Sequence, residues 1–236
     1  MDINCDMGEG TGNDEALLPF INTASIACGF HAGDETTMEQ SILLGLKYGI
    51  NIGAHPSFPD REHFGRTAMH FTPAEIYQIV TQQLQLIANI AQQQGAKLFH
   101  VKPHGALYNM AAKDAILAGV IAKAVYDVDA SLVFYGLSES VMIDEAAKLG
   151  LPTANEVFAD RTYQSDGSLT ARSLTNALLT NTADVVKQVK GFVAENKVMA
   201  VTGEKILLKA DTVCIHGDGP HALAFAKAIH QCIHEK

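Results

Sequence analysis

Residues 24–55 read ASIACGFHAGDETTMEQSILLGLKYGINIGAH, and the order of patterns within them decides the fold. The apolar run at 24–29 predicts a strand, 35–48 a helix and 50–54 a second strand. Asp34 stands where an N-cap belongs, offering an oxygen to the free N–H groups of the first helical turn. Strand, helix and strand in this order make a βα unit whose strands run parallel. The alternation continues in both directions, with strands predicted at 1–5, 97–102, 131–135, 153–157 and 211–215. Helices are predicted near 73–94, 114–127, 139–149, 173–195 and 220–234.

The helix over 73–94 is the best marked. Thr72 and Glu75 form a capping box, Pro73 suits the first position, and Gly95 suits the end. Ile76, Val80, Leu84 and Ile87 form a buried stripe. The spacing at 198–209 predicts a small hairpin, an ornament on a single domain spanning 1–236. About seven parallel strands without a GxGxxG fingerprint point to an incomplete (β/α) barrel rather than a dinucleotide-binding sheet.

Composition narrows the function. Hydrophobic residues are 47% and charged residues 18% of the chain, a globular balance without a disorder signature. The formal net charge is -9, which argues against nucleic acid as a partner. No apolar run reaches the roughly 18 residues a membrane span needs, and the N-terminus lacks a signal-like pattern, so a cytoplasmic location is expected. Cys5, Cys28, Cys214 and Cys232 have no CxxC spacing and read as reduced, mostly buried small residues.

Chemistry gathers at the ends of strands. Asp6, His31, His55, His104 and His216 each follow an apolar run and precede a loop bearing Gly or Pro. Strand C-terminal ends of a parallel barrel share one face, so these five should surround one cavity mouth. Period-two alternation puts Asp2, Asn4 and Asp6 on one strand face, and Thr212 and Cys214 beneath His216. Small or amide-bearing residues would then floor the site. Lys102 and Tyr108 flank His104. The long polar loop 158–172 carries Asp160, Arg161 and Arg172, with Arg161 the first candidate to grip a carboxylate and Arg66 the second. The glycine-bearing loops at 8–12 and 217–220, with Glu9 and Asp218, could hold an anion, although neither is a Walker A loop. Asp14 and Asp34 are expected to cap helices. His63, His70, His100, His221, His230 and His234 are expected at the surface or behind the site.

The segments DINCDMGEG (2–10), ASIACGFHAGD (24–34), GAHPSFPDREHFGR (53–66), VKPHGALYN (101–109), EVFADRTYQSDGSLTARS (156–173) and CIHGDGP (214–220) run through nearly the whole chain. In them the sequence resembles the LamB/YcsF family of 5-oxoprolinase A subunits. The resemblance implies a seven-stranded barrel like that of polysaccharide deacetylases. It also implies opening of 5-oxo-L-proline to L-glutamate with ATP hydrolysis, together with partner subunits B and C. On that footing Asp6 or His104 would be the general base, Lys102 would steady the oxyanion, and Arg161 would hold the substrate carboxylate. His31, His55 and Asp6 would orient water directly or through a divalent metal. Asn4, Glu9, Arg66, Tyr108, His216 and Asp218 would complete the substrate contacts. The rival expectations are an ATP-independent metal-dependent amidohydrolase or deacetylase, and a non-catalytic substrate-binding subunit.

Overall fold

The computed structural model describes residues 1–234. Seven parallel strands form the barrel: β1 (Asp2–Met7), β2 (Thr23–Ala27), β3 (Asn51–His55), β4 (His100–Val101), β5 (Val133–Leu137), β6 (Thr153–Phe158) and β9 (Thr212–Ile215). Every predicted strand is present. The barrel is incomplete only in strand number, because β9 pairs with both β6 and β1 and the ladder closes.

Outside the barrel lie α2 (Glu35–Tyr48), α3 (Pro73–Gln93), α5 (Ala115–Val128), α6 (Val141–Lys148), α7 (Thr182–Glu195) and α8 (Ala222–His234). The first four of these cover β2–β5 with one apolar cluster that includes Ile42, Val80, Leu84, Ile121 and Phe134. The last two, with the hairpin β7 (Lys197–Met199) and β8 (Lys205–Leu207), cover β1, β6 and β9 with a second. Two of the three capping expectations hold. The Asp34 side chain accepts from Thr37 N at 2.8 Å, and Thr72 and Glu75 close a reciprocal box.

Three local expectations change. The helix predicted from 173 begins only at Thr182, capped by Asn181; Ser173, Thr175, Asn176 and Thr180 have short polar side chains that compete for backbone groups and disfavour helix. A short helix, α1 (Asp14–Leu17), lies at Asp14 where a helical run is expected, whereas α4 (Gly105–Ala111) is not among the predicted elements. Asp14 does not cap α1, whose N-cap is Asn13. Its carboxylate instead accepts from Gly8 N at 2.8 Å and braces the loop after β1.

The barrel interior is polar. At the bottom, Asp2 Oδ2 accepts from Thr23 Oγ1 (2.9 Å) and Thr212 Oγ1 (2.8 Å). One layer up, Asn4 Nδ2 donates to Thr212 Oγ1 at 2.8 Å. His100 belongs here too, fully buried beside Ser25 Oγ at 2.9 Å and stacked on Tyr135. Gly53 makes room for it, since a Cβ there would lie 2.4 Å from the His100 ring. The floor is therefore not simply small. Buried Lys102, Glu156 and His100 fill it, and each needs a partner because an unpaired polar group in a barrel core is costly.

Candidate active site at the barrel mouth

The C-terminal ends of the strands open into a cavity of about 660 Å³, lined in part by Asp6, Glu9, His55, Lys102, His104, Glu156, Arg161 and His216. His31 lies four residues beyond the end of β2 in a loop, yet its ring stacks on His104 with centroids 3.8 Å apart. The five strand-end residues expected to converge do so.

Two clusters make up the site. At the floor, Lys102 Nζ is paired with Asp6 and donates to Asn4 Oδ1 at 2.9 Å and Glu156 Oε1 at 3.1 Å. It also lies 3.3 Å from Cys214 Sγ, so Cys214 is part of the floor rather than inert packing. Burial opposes the Lys102 charge, but Asp6, Cys214 and Glu156 push its pKa well above the usual value. Burial likewise opposes the Asp6 charge, and the positive fields of His55 and Lys102 bring its pKa well below the usual range. Tyr108 is committed to Glu156 through a 2.7 Å bond.

Above this, Glu9, His31, His55 and His104 place their ligand atoms within 4.8 Å of one another. Each histidine is held from behind. His55 Nδ1 donates to the Lys102 carbonyl (2.6 Å), and His104 Nε2 donates to the Phe64 carbonyl (2.9 Å). His31 Nδ1 bonds Ser57 Oγ at 2.9 Å, and that hydroxyl donates onward to the Phe58 carbonyl. Carbonyls only accept, so the far nitrogens carry the protons and the near ones present lone pairs. His55 Nε2 and His104 Nδ1 then face each other at 2.9 Å. Two lone pairs at that distance require a proton or a cation between them. Glu9 Oε1 lies 3.2 Å from His31 Nε2 and 3.5 Å from His104 Nδ1. Burial and the Asp6 charge raise the Glu9 pKa to about 7, whereas burial lowers that of His31 to about 3.

Glu9 joins the three histidines, while Asp6 is paired with Lys102 and also lies 3.4 Å from His55 Nε2. Arg161 lines the cavity, with its Nη2 donating to the Thr170 carbonyl (2.6 Å) and its Nε to that of Ala177 (3.4 Å). The sequence reading missed Glu156 and Gln83. Gln83 clamps Ser57 by bonds to its N–H (3.0 Å) and carbonyl (2.9 Å), fixing the anchor of His31. Both had a signal, since each is a polar residue on an apolar face. His216 is held by Asp160 at 2.9 Å.

Comparisons agree with this architecture. A 5-oxoprolinase A subunit from Bordetella pertussis is 53% identical over 234 residues, which cover 97% of this chain and 93% of the relative. One from Tolumonas auensis is 51% identical, covering 99% and 95%. The crystal structure of a lactam utilization protein from Thermus thermophilus matches with a TM-score of 0.91 and 36% identity, covering 99% of this chain and 95% of that one. A family 4 carbohydrate esterase from Streptomyces lividans, at TM-score 0.50 and 14% identity, shares the fold alone, covering 98% of this chain and 87% of its own. With the LamB/YcsF family model matching residues 1–236, and with the barrel and its mouth built as described, this chain belongs to the LamB/YcsF family.

Proposed function

We propose that this chain is the A subunit of an ATP-dependent 5-oxoprolinase and that the barrel mouth opens the lactam of 5-oxo-L-proline to L-glutamate. The observation that carries the reading is the pairing of two buried clusters in one cavity, a charged Lys102 below and a Glu9–histidine group above, in a chain half identical to proteins of that name.

A lactam is a resonance-stabilised amide that water attacks slowly. Transfer of a phosphoryl group from ATP to the ring oxygen, handled with partner subunits B and C, turns that oxygen into a leaving group. Water then adds to the activated ring carbon, the C–N bond breaks as the ring nitrogen takes a proton, and a second water cleaves the resulting acyl phosphate to L-glutamate and phosphate. Glu9 is suited to accept the proton from water, because a pKa of about 7 matches neutral pH. Lys102 supplies positive charge at the floor where negative charge develops on oxygen. His31, His55 and His104 orient the water through their lone pairs.

The same three nitrogens fit a divalent metal. The donor chemistry is right and each ring is braced by an outer hydrogen bond, the arrangement that orients metal-binding histidines. Bound there, with Glu9 beside it or as fourth ligand, the ion would add charge that favours ionisation of water. No helix among the described residues is long and apolar enough to cross a membrane.

The test is glutamate release from 5-oxoproline by the purified chain, with and without ATP and the two partner proteins. Turnover only in the complete mixture is expected. Turnover by this chain alone, without ATP and abolished by a chelator, would replace the proposal with a free-standing metal amidohydrolase.

A further inference from the structure

An ion pair spans the cavity mouth that the barrel does not need for its own stability. Arg66, in the loop after β3, donates through Nη2 to Asp218 Oδ2 in the loop after β9 at 2.8 Å. Both residues line the cavity and both are partly open to solvent, with side chains 39% and 29% exposed. Pairs this exposed contribute little to folding.

Arg66 is nevertheless positioned closely. Its guanidinium lies over the Phe64 ring, 4.9 Å from the centroid. Phe64 adopts a positive φ of 58°, unusual for a bulky residue, and its carbonyl is the acceptor that anchors His104. Gly65 follows with φ 67°, its carbonyl bonded to Ala106 N at 2.9 Å; a Cβ on it would meet both His104 and His31 at 2.9 Å. A strained turn therefore fixes the guanidinium beside the histidine cluster. Strain of this kind gathers at ligand clamps. Of the other cavity arginines, Arg161 is engaged by backbone carbonyls and Arg172 is exposed on its loop.

We propose that Arg66 is the carboxylate clamp of this site, and that Asp218 is a stand-in for the carboxylate of the substrate, displaced when an acidic lactam enters. This rests on the lactam-opening reading, whose substrate carries a carboxylate on the carbon next to the ring nitrogen. The exchange leaves Arg66 with one anionic partner before and after binding, so the guanidinium is never stranded. It also gives the cavity a selection rule: a neutral lactam cannot replace Asp218, and an acidic one can.

Calorimetric binding of L-5-oxoproline and of 2-pyrrolidinone, the same ring without the carboxylate, to the full chain tests this. Wild type should prefer the acid. Arg66→Gln should weaken 5-oxoproline by about 10–100-fold, the scale of lost charge-assisted hydrogen bonds, and leave 2-pyrrolidinone unchanged. Arg66→Lys should fall between, and Asp218→Asn should tighten 5-oxoproline severalfold by removing its competitor. Equal wild-type affinity for the two rings, or 5-oxoproline binding within twofold of wild type in both Arg66→Gln and Asp218→Asn, overturns the clamp and leaves the lactam reading standing. Arg66-dependent binding of a small acid such as succinate with no binding of either lactam would uphold the clamp and remove the lactam reading.

Discussion

Lys102 is the residue on which the interior depends. It is 2% exposed and surrounded by Asp6, Asn4, Glu156 and Cys214. Its single positive charge faces two carboxylates that have no other lysine or arginine among the described residues of the floor. Removing one partner of a buried ion pair strands the other and costs about 3–5 kcal/mol. Lys102→Met should therefore destabilise the chain by that amount in urea unfolding, and Lys102→Met with Glu156→Gln should recover part of it. A loss below about 1 kcal/mol in the single variant, less than an ordinary buried hydrogen bond can cost, would show that the carboxylates are not held charged by this lysine.

At the scale of elements, the short helix α4 positions His104 through its first residue. Gly105 has φ 58°, and a Cβ there would lie 2.4 Å from the Gly65 carbonyl oxygen. Alanine at such a position is destabilising by more than about 1 kcal/mol. Gly105→Ala should lower the melting temperature and, by displacing His104 from its anchor, also lower turnover. Thr72→Ala breaks the capping box of α3 on the far side of the barrel wall and costs about 1 kcal/mol. Its melting temperature should fall while turnover per folded molecule stays constant. Equal effects of the two on turnover would argue that α4 does not govern the site.

Over the whole molecule, apolar and polar cores are separated by the sheet. Most apolar packing lies in two clusters centred outside the barrel, which leaves much of the interior free for charged chemistry. The histidine cluster joins the loop after β2, the last residue of β3 and the segment after β4 to Glu9 after β1. A ligand bound there links four strand ends and stabilises only the folded state. Zinc at about 100 times its dissociation constant should add about 2.7 kcal/mol, raising the midpoint by several degrees at roughly 2–4 °C per kcal/mol. Calorimetry of metal-stripped protein with and without zinc measures the shift, and His55→Ala should abolish it. No shift in the wild type would leave a shared proton, not a metal, between the histidines.

The strand order, the parallel barrel and the convergence of Asp6, His31, His55, His104 and His216 were all legible in the order of amino acids. They follow from periodicity and from the rule that strand ends of a parallel barrel share a face, both local or topological facts. Unread signals were present too in Glu156 and Gln83, polar residues on apolar faces. Which groups pair became visible only in the folded chain: Asp6 with Lys102 as well as with His55, Glu9 with His31, Arg161 with backbone carbonyls, and Arg66 with Asp218. Partnership depends on distances of a few ångströms between residues far apart in the chain, and neither spacing nor composition encodes such distances. The polar floor shows the same limit, because His100 occupies space left by Gly53 on a neighbouring strand.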